Sequence, residues 1–434
     1  MKQQTNNITE YQQTELGIIP KEWEVVRLGE VADYYLGRTP PRNEKLSWEN
    51  GVFPWVSIAD MRENKIITYT TEKISKYALE KYFKNKISMK DTLLMSFKLT
   101  IGRTSILGIN AVHNEAIISI FPQKNLDKMF MFYYLPTVNY SNYMDKAVKG
   151  NTLNKSKIDK ILIPLPPLSE QKAIAAVLSA IQEAKEKTEA VIAATKELKK
   201  SMMKHLFTYG PVSLKEIDKV ELKQTELGPL PKEWEVVRLG EVAETYSGGT
   251  PSRLMKEFFN GTIGWLKSGE LKDNFIFSSE EYISEEALKN SSAKYVIPNT
   301  LLIAMYGATA GKVGLVKAKL TINQAICAIV PKNEEFNSSF YFYYFQSIRD
   351  NLLSQRFGGA QPNLNQQIIK NNKIPLPPLP IQQKIASILS AIDAKIEAEV
   401  NKKKALEALS KSMLHHLMTG KVRVNNLNLE VVNG

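Results

Sequence analysis

Residues 14–42 read TELGIIPKEWEVVRLGEVADYYLGRTPPR, and residues 225–253 read TELGPLPKEWEVVRLGEVAETYSGGTPSR. The two stretches are identical at 22 of 29 positions and lie 211 residues apart. The same displacement separates two copies of IPLPPL, at residues 163–168 and 374–379. A period of this size corresponds to a whole domain, not to a solenoid repeat. The sequence therefore predicts two related domains in one chain.

Composition limits the class of protein. The 434 residues are 43% hydrophobic, which is ordinary for a globular chain with a core in each half. The formal net charge of +12 favours a polyanionic partner such as nucleic acid. We find no signal peptide and no apolar run of about 18 residues, so we expect no membrane contact. The lone Cys327 cannot form an internal disulfide, which favours a cytoplasmic protein.

Each copy passes through a series of short apolar runs bounded by turns. This pattern predicts buried strands at residues 91–97, 105–107 and 116–121, and again at 299–305, 314–316 and 325–330. An aromatic stretch follows in each copy, at residues 130–134 and 340–344, and we predict a core helix for each. The opening blocks, residues 23–32 and 234–243, are expected to form a surface strand or a short helix.

Two long segments have the heptad pattern of coiled-coil helices. From Ser169 to Thr208, apolar or small residues recur in alternating steps of three and four. A counterpart runs from Pro380 to Thr419, with an irregular six-residue step across Lys402–Lys404. Two helices of matching length favour an antiparallel coiled coil across a pseudo-twofold axis, and packing on an outside partner is the alternative. The predicted first seam is Ile174, Val177, Ile181, Ala184, Thr188, Val191, Thr195, Leu198 and Met202.

Catalytic motifs are missing from the sequence. The run Gly307–Lys312 resembles a phosphate-binding loop, but it is one residue short and Val313 stands where a Ser or Thr must hold magnesium. The four histidines and Cys327 lack zinc-site spacing. These features argue against a self-contained enzyme and favour a protein that recognises its target.

A GxTPxR turn occurs in both copies, at Gly37–Arg42 and Gly248–Arg253. It carries hydroxyl and guanidinium groups, and arginine can bind guanine or phosphate. The alternative is that Gly and Pro shape a turn while the arginines point into water. The candidate DNA contacts from this turn are Arg38, Thr39, Arg42, Thr250 and Arg253.

A second loop joins the central strands of each copy, and its glycines would let the backbone approach a duplex. Solvated loop charge is the alternative. Its candidate contacts are Lys98 and Arg103 in the first copy and Tyr306 and Lys312 in the second, with Lys267 as a further candidate.

A third repeated element is Gly150–Asn154, matched by Gly358–Asn365. Asn154 and Asn365 have the character of helix caps, and a helix N-terminus could in addition face phosphate. Gln361 and Asn363 are candidates for adenine recognition, since amide side chains pair with that base through two hydrogen bonds.

The order of these motifs resembles the specificity subunits of type I restriction-modification enzymes. The resemblance rests on GxTP, then PWVS (54–57) or GWLK (264–267), then DTLLMSF (91–97), then IPLPPL followed by Gln171 or Gln382 and a long helix. It implies two target-recognition domains, each reading half of a split double-stranded DNA sequence, with the long helices as spacer. It also implies two methyltransferase subunits as partners, and restriction subunits that cleave DNA. S-adenosylmethionine, ATP and Mg²⁺ are then expected on those partner subunits, and no cofactor in this chain.

The predicted architecture is α+β, with two mixed α/β target-recognition domains in pseudo-twofold repeat, joined and separated by the two antiparallel helices. The divergent stretches 43–82 and 254–290 are expected to read two different half-sites. A stand-alone DNA-binding regulator is the alternative function, although the sequence has no recognisable helix-turn-helix. The predicted boundaries are a flexible tail 1–13, a domain 14–162, a helix 163–210, a linker 211–224, a domain 225–373, a helix 374–420 and a tail 421–434.

Overall fold

The computed structural model describes residues 10–61, 65–144, 153–355 and 363–424. The chain divides into two compact units. Unit 1 comprises Met1–Thr188 together with Lys402–Gly434, and unit 2 comprises Glu189–Asn401. Each unit therefore holds one of the two sequence copies and parts of both long helices.

Each copy opens with a tight hairpin. Tyr11–Thr14 pairs with Gly17–Pro20, and Leu222–Thr225 pairs with Gly228–Pro231. The turn needs glycine because Gly17 and Gly228 have φ of 96° and 98°. The Thr14 hydroxyl closes the turn by donating to the Gly17 carbonyl at 2.9 Å. The repeated TELG motif is thus a turn signal.

A five-stranded sheet with the same order forms the centre of each copy. The first four strands run antiparallel to their neighbours and the fifth is parallel to the fourth. The predicted central strands are confirmed. The sheet order is Ala32–Leu36, Ile117–Pro122, Leu93–Ser96, Thr104–Leu107 and Lys65–Ile67 in unit 1, and Ala243–Ser247, Ile326–Pro331, Leu301–Ala304, Val313–Val316 and Asn274–Ile276 in unit 2.

A smaller sheet carries the tryptophan strand of each copy. In unit 1 its order is Val112–His113, Phe53–Val56 and Glu72–Ile74; in unit 2 it is Glu281–Ile283, Ile263–Leu266, Leu320–Ile322 and Lys294–Val296. Trp55 and Trp265 are 2% and 1% exposed, so both anchor their sheet in a core.

Short helices complete each domain. The aromatic stretches form Lys128–Tyr134 and Ser338–Ser347, and their rings are buried, which confirms the predicted core helices. The other short helices are Leu28–Val31, Lys45–Trp48, Lys76–Phe83 and Lys155–Asp159 in unit 1, and Leu239–Val242, Glu285–Lys289, Arg349–Ser354 and Gln366–Asn371 in unit 2. Each opening block is a strand followed by a helical turn, because Glu24–Arg27 and Glu235–Arg238 precede the first helix of their copy.

The IPLPPL segments close each domain onto its own start. Leu162–Leu165 pairs with Glu24–Arg27, and Lys373–Leu376 pairs with Glu235–Arg238, both antiparallel. The prolines then end the strand, and a long helix begins directly after them. The two segments that the copies share most closely are therefore strand partners.

A buried glutamine fastens the start of each long helix. Gln171 and Gln382 are 0% exposed. The Gln171 amide donates to the carbonyls of Asn125 and Pro166 and accepts from the Asp127 amide, at 2.8–3.0 Å. Gln382 makes the matching bonds in unit 2, to Glu335, Pro377 and Asn337. Each glutamine joins its long helix to the chain just before the aromatic helix.

The two long helices are Leu168–Tyr209, of 42 residues, and Leu379–Met418, of 40 residues. The lysine run 402–404 does not interrupt the second helix. Within unit 2 the C-terminal part of the first helix lies beside the N-terminal part of the second, since Lys199 Nζ is 2.7 Å from Asp393 Oδ1. Within unit 1, Leu417 and Met418 join the core that contains Ile174 and Leu178. Both pairings are those of antiparallel helices.

One position of each predicted heptad is buried, whereas the other is half-buried at Val177 and Ala184 and exposed further along the helix. Ile174, Ile181, Thr188 and Thr195 are buried at seven-residue spacing. Val191 and Leu198, however, are 38% and 52% exposed. The buried position of the C-terminal half is occupied by threonines, whose hydroxyls donate to carbonyls one turn back. The seam is therefore narrower than the periodicity predicts.

Three predicted boundaries differ from the structure. The predicted tail 1–13 includes part of the first strand, and the Tyr11 hydroxyl donates to the Gly420 carbonyl at 3.2 Å. The predicted linker 211–224 contains the 3₁₀ helix Leu214–Lys219 and most of a strand. The predicted tail 421–434 contains Arg423 and Val424, which are packed into unit 1. In the described part of the chain, none of the helices has the length and hydropathy needed to cross a bilayer.

Candidate nucleic-acid interface

The three loop elements predicted from sequence meet at one end of unit 1. The GxTPxR turn is held by hydrogen bonds from Arg38 N to His113 O and from the Thr39 hydroxyl to Glu115. The glycine-containing loop, residues 97–103, begins beside it, because Phe97 N donates to Ala116 O. The third element joins through a bond from Leu153 N to Phe97 O at 3.0 Å.

Unit 2 brings the corresponding loops together with the same main-chain bonds. Gly249 N donates to Ile322 O, and the Thr250 hydroxyl contacts Gln324. Met305 N donates to Ala325 O, and Leu364 N donates to Met305 O. Hence the three loop elements, which are far apart in the sequence, form one composite surface in each unit.

The arginine that ends the GxTPxR turn of unit 1 is held between aromatic rings and a glutamate, an arrangement called an arginine clamp below. The Arg42 guanidinium lies 4.1 Å from the Trp48 ring centroid and 4.9 Å from that of Trp55, and pairs with both carboxylate oxygens of Glu72. Its hydrogen bonds with Glu72 raise the pKa of Arg42 above its ordinary value. Cation–π and ion-pair contacts thus tie the turn to the tryptophan strand.

Arg253 is clamped in the same way in unit 2. Its guanidinium lies 4.2 Å from the Phe259 centroid and 5.1 Å from that of Trp265, and 2.7 Å from Glu281. Lys267 Nζ also pairs with Glu281, at 2.6 Å. Hydrogen bonds from Arg253 and then from Lys267 lower the pKa of Glu281, and the bond with Glu281 raises the pKa of Lys267. These charges are already paired within the domain, although Arg42 and Arg253 remain 55% and 52% exposed.

Three other predicted contacts have structural partners as well. Arg103 donates to the Met61 carbonyl at 3.0 Å, and the Tyr306 hydroxyl donates to the Gln324 carbonyl at 3.0 Å. Asn154 accepts from the Lys157 amide at 3.0 Å, so its capping role is confirmed, as it is for Asn365 with Ile368. Both caps begin helices shorter than two turns.

The remaining predicted residues are available at the surface of the loops. Arg38 and Asn363 are exposed, and Lys98 and Lys312 are half-buried. Among described residues, Lys98 Nζ lies 5.6 Å from the Phe97 ring centroid and forms no ion pair. Gln361 falls outside the described residues.

Comparison with known proteins identifies the family. The model of the type I restriction modification DNA specificity domain matches residues 20–196 and again residues 231–408. The chain belongs to this family. It is 29% identical to the type I restriction enzyme MjaVIII specificity subunit of Methanocaldococcus jannaschii, over 94% of this chain and 95% of that protein. It is 30% identical to the EcoR124I/EcoR124II specificity subunit of Escherichia coli, over 61% and 63% of the two chains.

Solved structures of this family share the fold. The type I restriction-modification S subunit from M. genitalium has a TM-score of 0.61 at 15% identity, covering 95% of this chain and 97% of that one. A chain from a type I system, described in terms of complex assembly and conformational transition, has a TM-score of 0.56 at 16% identity, covering 93% and 99%. As a type I specificity subunit, the chain is a DNA-recognition component and not an enzyme.

Cys327 and His113 are both buried in this specificity subunit. Burial raises the pKa of the Cys327 thiol to about 12 and lowers the pKa of His113 to about 4. The Gly307–Thr309 turn is followed by the strand Val313–Val316 and not by a helix, so it lacks the geometry of a phosphate-binding loop. Among described residues, no group of three His, Cys, Asp or Glu side chains could hold a metal.

Sequence reasoning missed the residues that complete the arginine clamps. Glu72 and Glu281 lie in the two stretches that diverge between the copies, and so do Trp48 and Phe259. Alignment of the copies therefore gave no signal for them. The shared tryptophans, Trp55 and Trp265, were the available clue, because an arginine and a tryptophan repeated together can form a cation–π pair.

Proposed function

We propose that this specificity subunit reads a bipartite, asymmetric double-stranded DNA target, with one half-site for each unit. The main support is that both units build the same loop surface on the same main-chain hydrogen bonds while presenting different side chains. Arg38, Lys98 and Leu99 of unit 1 correspond to Gly249, Tyr306 and Gly307 of unit 2. Surfaces of one shape with different chemistry are suited to different base sequences.

The DNA contacts divide into two groups. Arg38, Lys98, Lys312 and Asn363 have accessible polar groups and are proposed to contact bases or phosphates. Arg42, Arg253, Lys267 and Arg103 already have partners in their own unit, so we propose that they hold the loops in position. The Thr39 and Thr250 hydroxyls, Tyr306 and the Asn154 cap belong with this second group. The net charge of +12 supplies the attraction for phosphate.

We also propose that the chain assembles two methyltransferase subunits, and restriction subunits where they are present. The support is that the copies differ in their loops yet retain the same opening strands, buried glutamines and long helices. Repeated surfaces of this kind suit two equivalent partners. S-adenosylmethionine, ATP and Mg²⁺ would be bound by those partners.

Base-modification sequencing tests the proposal. DNA would be isolated from a methylation-free host that expresses this chain together with the methyltransferase subunit encoded beside it. A split, asymmetric motif with N6-methyladenine is expected, and a host that lacks this chain is the control. A soluble complex of the two proteins that leaves no motif would contradict the proposal.

A further inference from the structure

The glycine-containing loops of the two units close with a corresponding main-chain bond, although the loop of unit 2 is one residue longer and contains the 3₁₀ helix Gly307–Thr309. Gly102 N donates to Ser96 O in unit 1 and Gly311 N donates to Ala304 O in unit 2, both at 2.8 Å. Both loops also begin and end on equivalent strands, after Ser96 and Ala304. Counted from the end of the preceding strand, Leu99 and Gly307 are each the third residue of their loop.

This place requires a left-handed backbone. The φ angle is 64° at Leu99 and 77° at Gly307. Glycine adopts such an angle freely, whereas a bulky side chain at positive φ is strained. Unit 2 thus has the unstrained residue, and unit 1 keeps a leucine at a cost in conformational energy.

Core packing does not account for the leucine. Its side chain is 75% exposed, and a Cβ added at Gly307 would meet nothing within 4 Å, so the position faces open space in unit 2 as well. Strain kept at an exposed position is more often functional than structural. The preceding residue, Lys98, is cationic and half-buried, and it lies in the composite loop surface already described.

We propose that Leu99 is a specificity-determining residue that contacts the C5-methyl group of a thymine in the half-site read by unit 1. Thymine alone among the four bases presents a methyl group in the major groove, and an apolar side chain recognises it by burying it. The Lys98 cation beside Leu99 suits a phosphate next to such a base. Gly307 offers no side chain, so unit 2 has no equivalent contact. This inference rests on the proposed function.

Replacement of thymine by deoxyuridine tests the contact, because deoxyuridine lacks the methyl group and pairs identically with adenine. After the split motif is known, each thymine in a short duplex would be replaced in turn, and binding by the complex with the methyltransferase subunit would be measured by titration. The wild-type complex should lose about fourfold in affinity at one position, the factor expected for burial of one carbon group.

Two variants make the test specific. Leu99→Gly places the glycine of unit 2 at this position and relieves the strain, so it should fold, and it should bind the thymine and deoxyuridine duplexes equally at that position. Ile18→Ala is the matched control, since Ile18 is 62% exposed in unit 1 but lies on the hairpin strand Gly17–Pro20 and not in the loop. This control should keep the fourfold preference.

Several results would overturn the inference. They are a target with no thymine in either half-site, and a Leu99→Gly complex that discriminates thymine from deoxyuridine as the wild type does. A variant that weakens binding equally for both duplexes would assign Leu99 to the DNA backbone instead. Absence of any split motif would reject the proposed function itself, and the thymine contact with it.

Discussion

Units 1 and 2 share a fold but differ in what they bury at corresponding places. In unit 1, Trp23 donates to Glu170 at 3.0 Å, and Arg423 donates to both oxygens of this fully buried carboxylate at 2.6 and 2.9 Å. The repeat displacement of 211 places Trp234 and Ile381 at the equivalent positions of unit 2. Ile381 packs against an apolar core there. The buried Glu170–Arg423 ion pair of unit 1, here called the ionic lock, is thus replaced by a hydrophobic contact in unit 2.

A second exchange lies beneath the GxTPxR turns. His113 of unit 1 is 1% exposed and is hydrogen-bonded to Ser119 at 2.7 Å, whereas unit 2 has Ile322 in the same strand register. In both units the turn binds the main-chain carbonyl of this residue. Because a main-chain bond holds the turn in both units, the side chain at this position can change from polar to apolar. The units should therefore respond differently to mutation and to pH.

The largest expected difference comes from the ionic lock. Arg423→Ala leaves the Glu170 carboxylate buried without its charge partner, and we expect unit 1 to lose about 3–5 kcal/mol of stability. Hydrogen exchange followed by mass spectrometry in low denaturant should show faster exchange in peptides of unit 1 and little change in unit 2.

A double variant separates the charge from the packing. Glu170→Ile combined with Arg423→Val gives unit 1 the residues found at these positions of unit 2, and replacement of a buried ion pair by apolar residues is often neutral. Protection close to that of the wild type is expected. Equal loss in the single and double variants would show that the segment after the second helix is needed for its packing, not for its charge.

The two buried glutamines should contribute similarly to the stability of both units. Gln171→Leu and Gln382→Leu each leave one amide and two carbonyls without partners, and we expect each unit to lose about 2–4 kcal/mol. Urea unfolding of the two variants, followed unit by unit through hydrogen exchange, measures this loss. A much smaller effect in one unit would mean that its long helix is anchored elsewhere.

Acidification should destabilise unit 1 selectively. Burial holds the pKa of His113 at about 4, below the ordinary value of 6.5, so the folded state keeps the ring neutral while the unfolded chain takes up a proton. Stability is therefore complete above pH 6.5 and falls as the pH drops from 6.5 towards 4. Through His113 alone, the loss between pH 7 and pH 5 is about 2 kcal/mol.

The control for this prediction uses the residue of the other unit. His113→Ile should remove the part of the pH dependence that comes from the histidine, and the wild-type unit 2 should lack that part. Exchange protection measured at pH 7 and pH 5, corrected for intrinsic exchange rates, tests both statements. Unchanged pH dependence in His113→Ile would assign the acid sensitivity to other groups.

The smallest expected effects come from the arginine clamps. Arg42→Ala and Arg253→Ala each remove one half-exposed ion pair and its cation–π contacts, worth about 1–2 kcal/mol. Because each clamp holds the turn of one unit, each variant should relax sequence preference in one half-site, as read by modification sequencing. Uniform loss of affinity with a shallower salt dependence would instead indicate phosphate contacts.

Sequence reasoning predicted much of the fold because repetition supplied an internal comparison. The shared IPLPPL and opening segments proved to be strand partners, and the short apolar runs proved to be the central strands. The heptad seam was less accurate, since Val191 and Leu198 are exposed although their spacing suits a coiled coil. Periodicity identifies the face of a helix that can be buried, but the width of the buried strip depends on the neighbouring element.

The duplication, the two long helices, the lack of catalytic motifs and the family could all be inferred from the amino-acid sequence. These properties depend on local spacing and residue type, and the same motifs occur in both copies of the repeat. The folded structure was needed to show which charges are paired. Arg42 and Arg253 are paired with glutamates about 30 residues away, and Glu170 is paired with Arg423, 253 positions away. Such pairs form because folding brings distant groups together, and spacing along the chain does not predict which groups will meet.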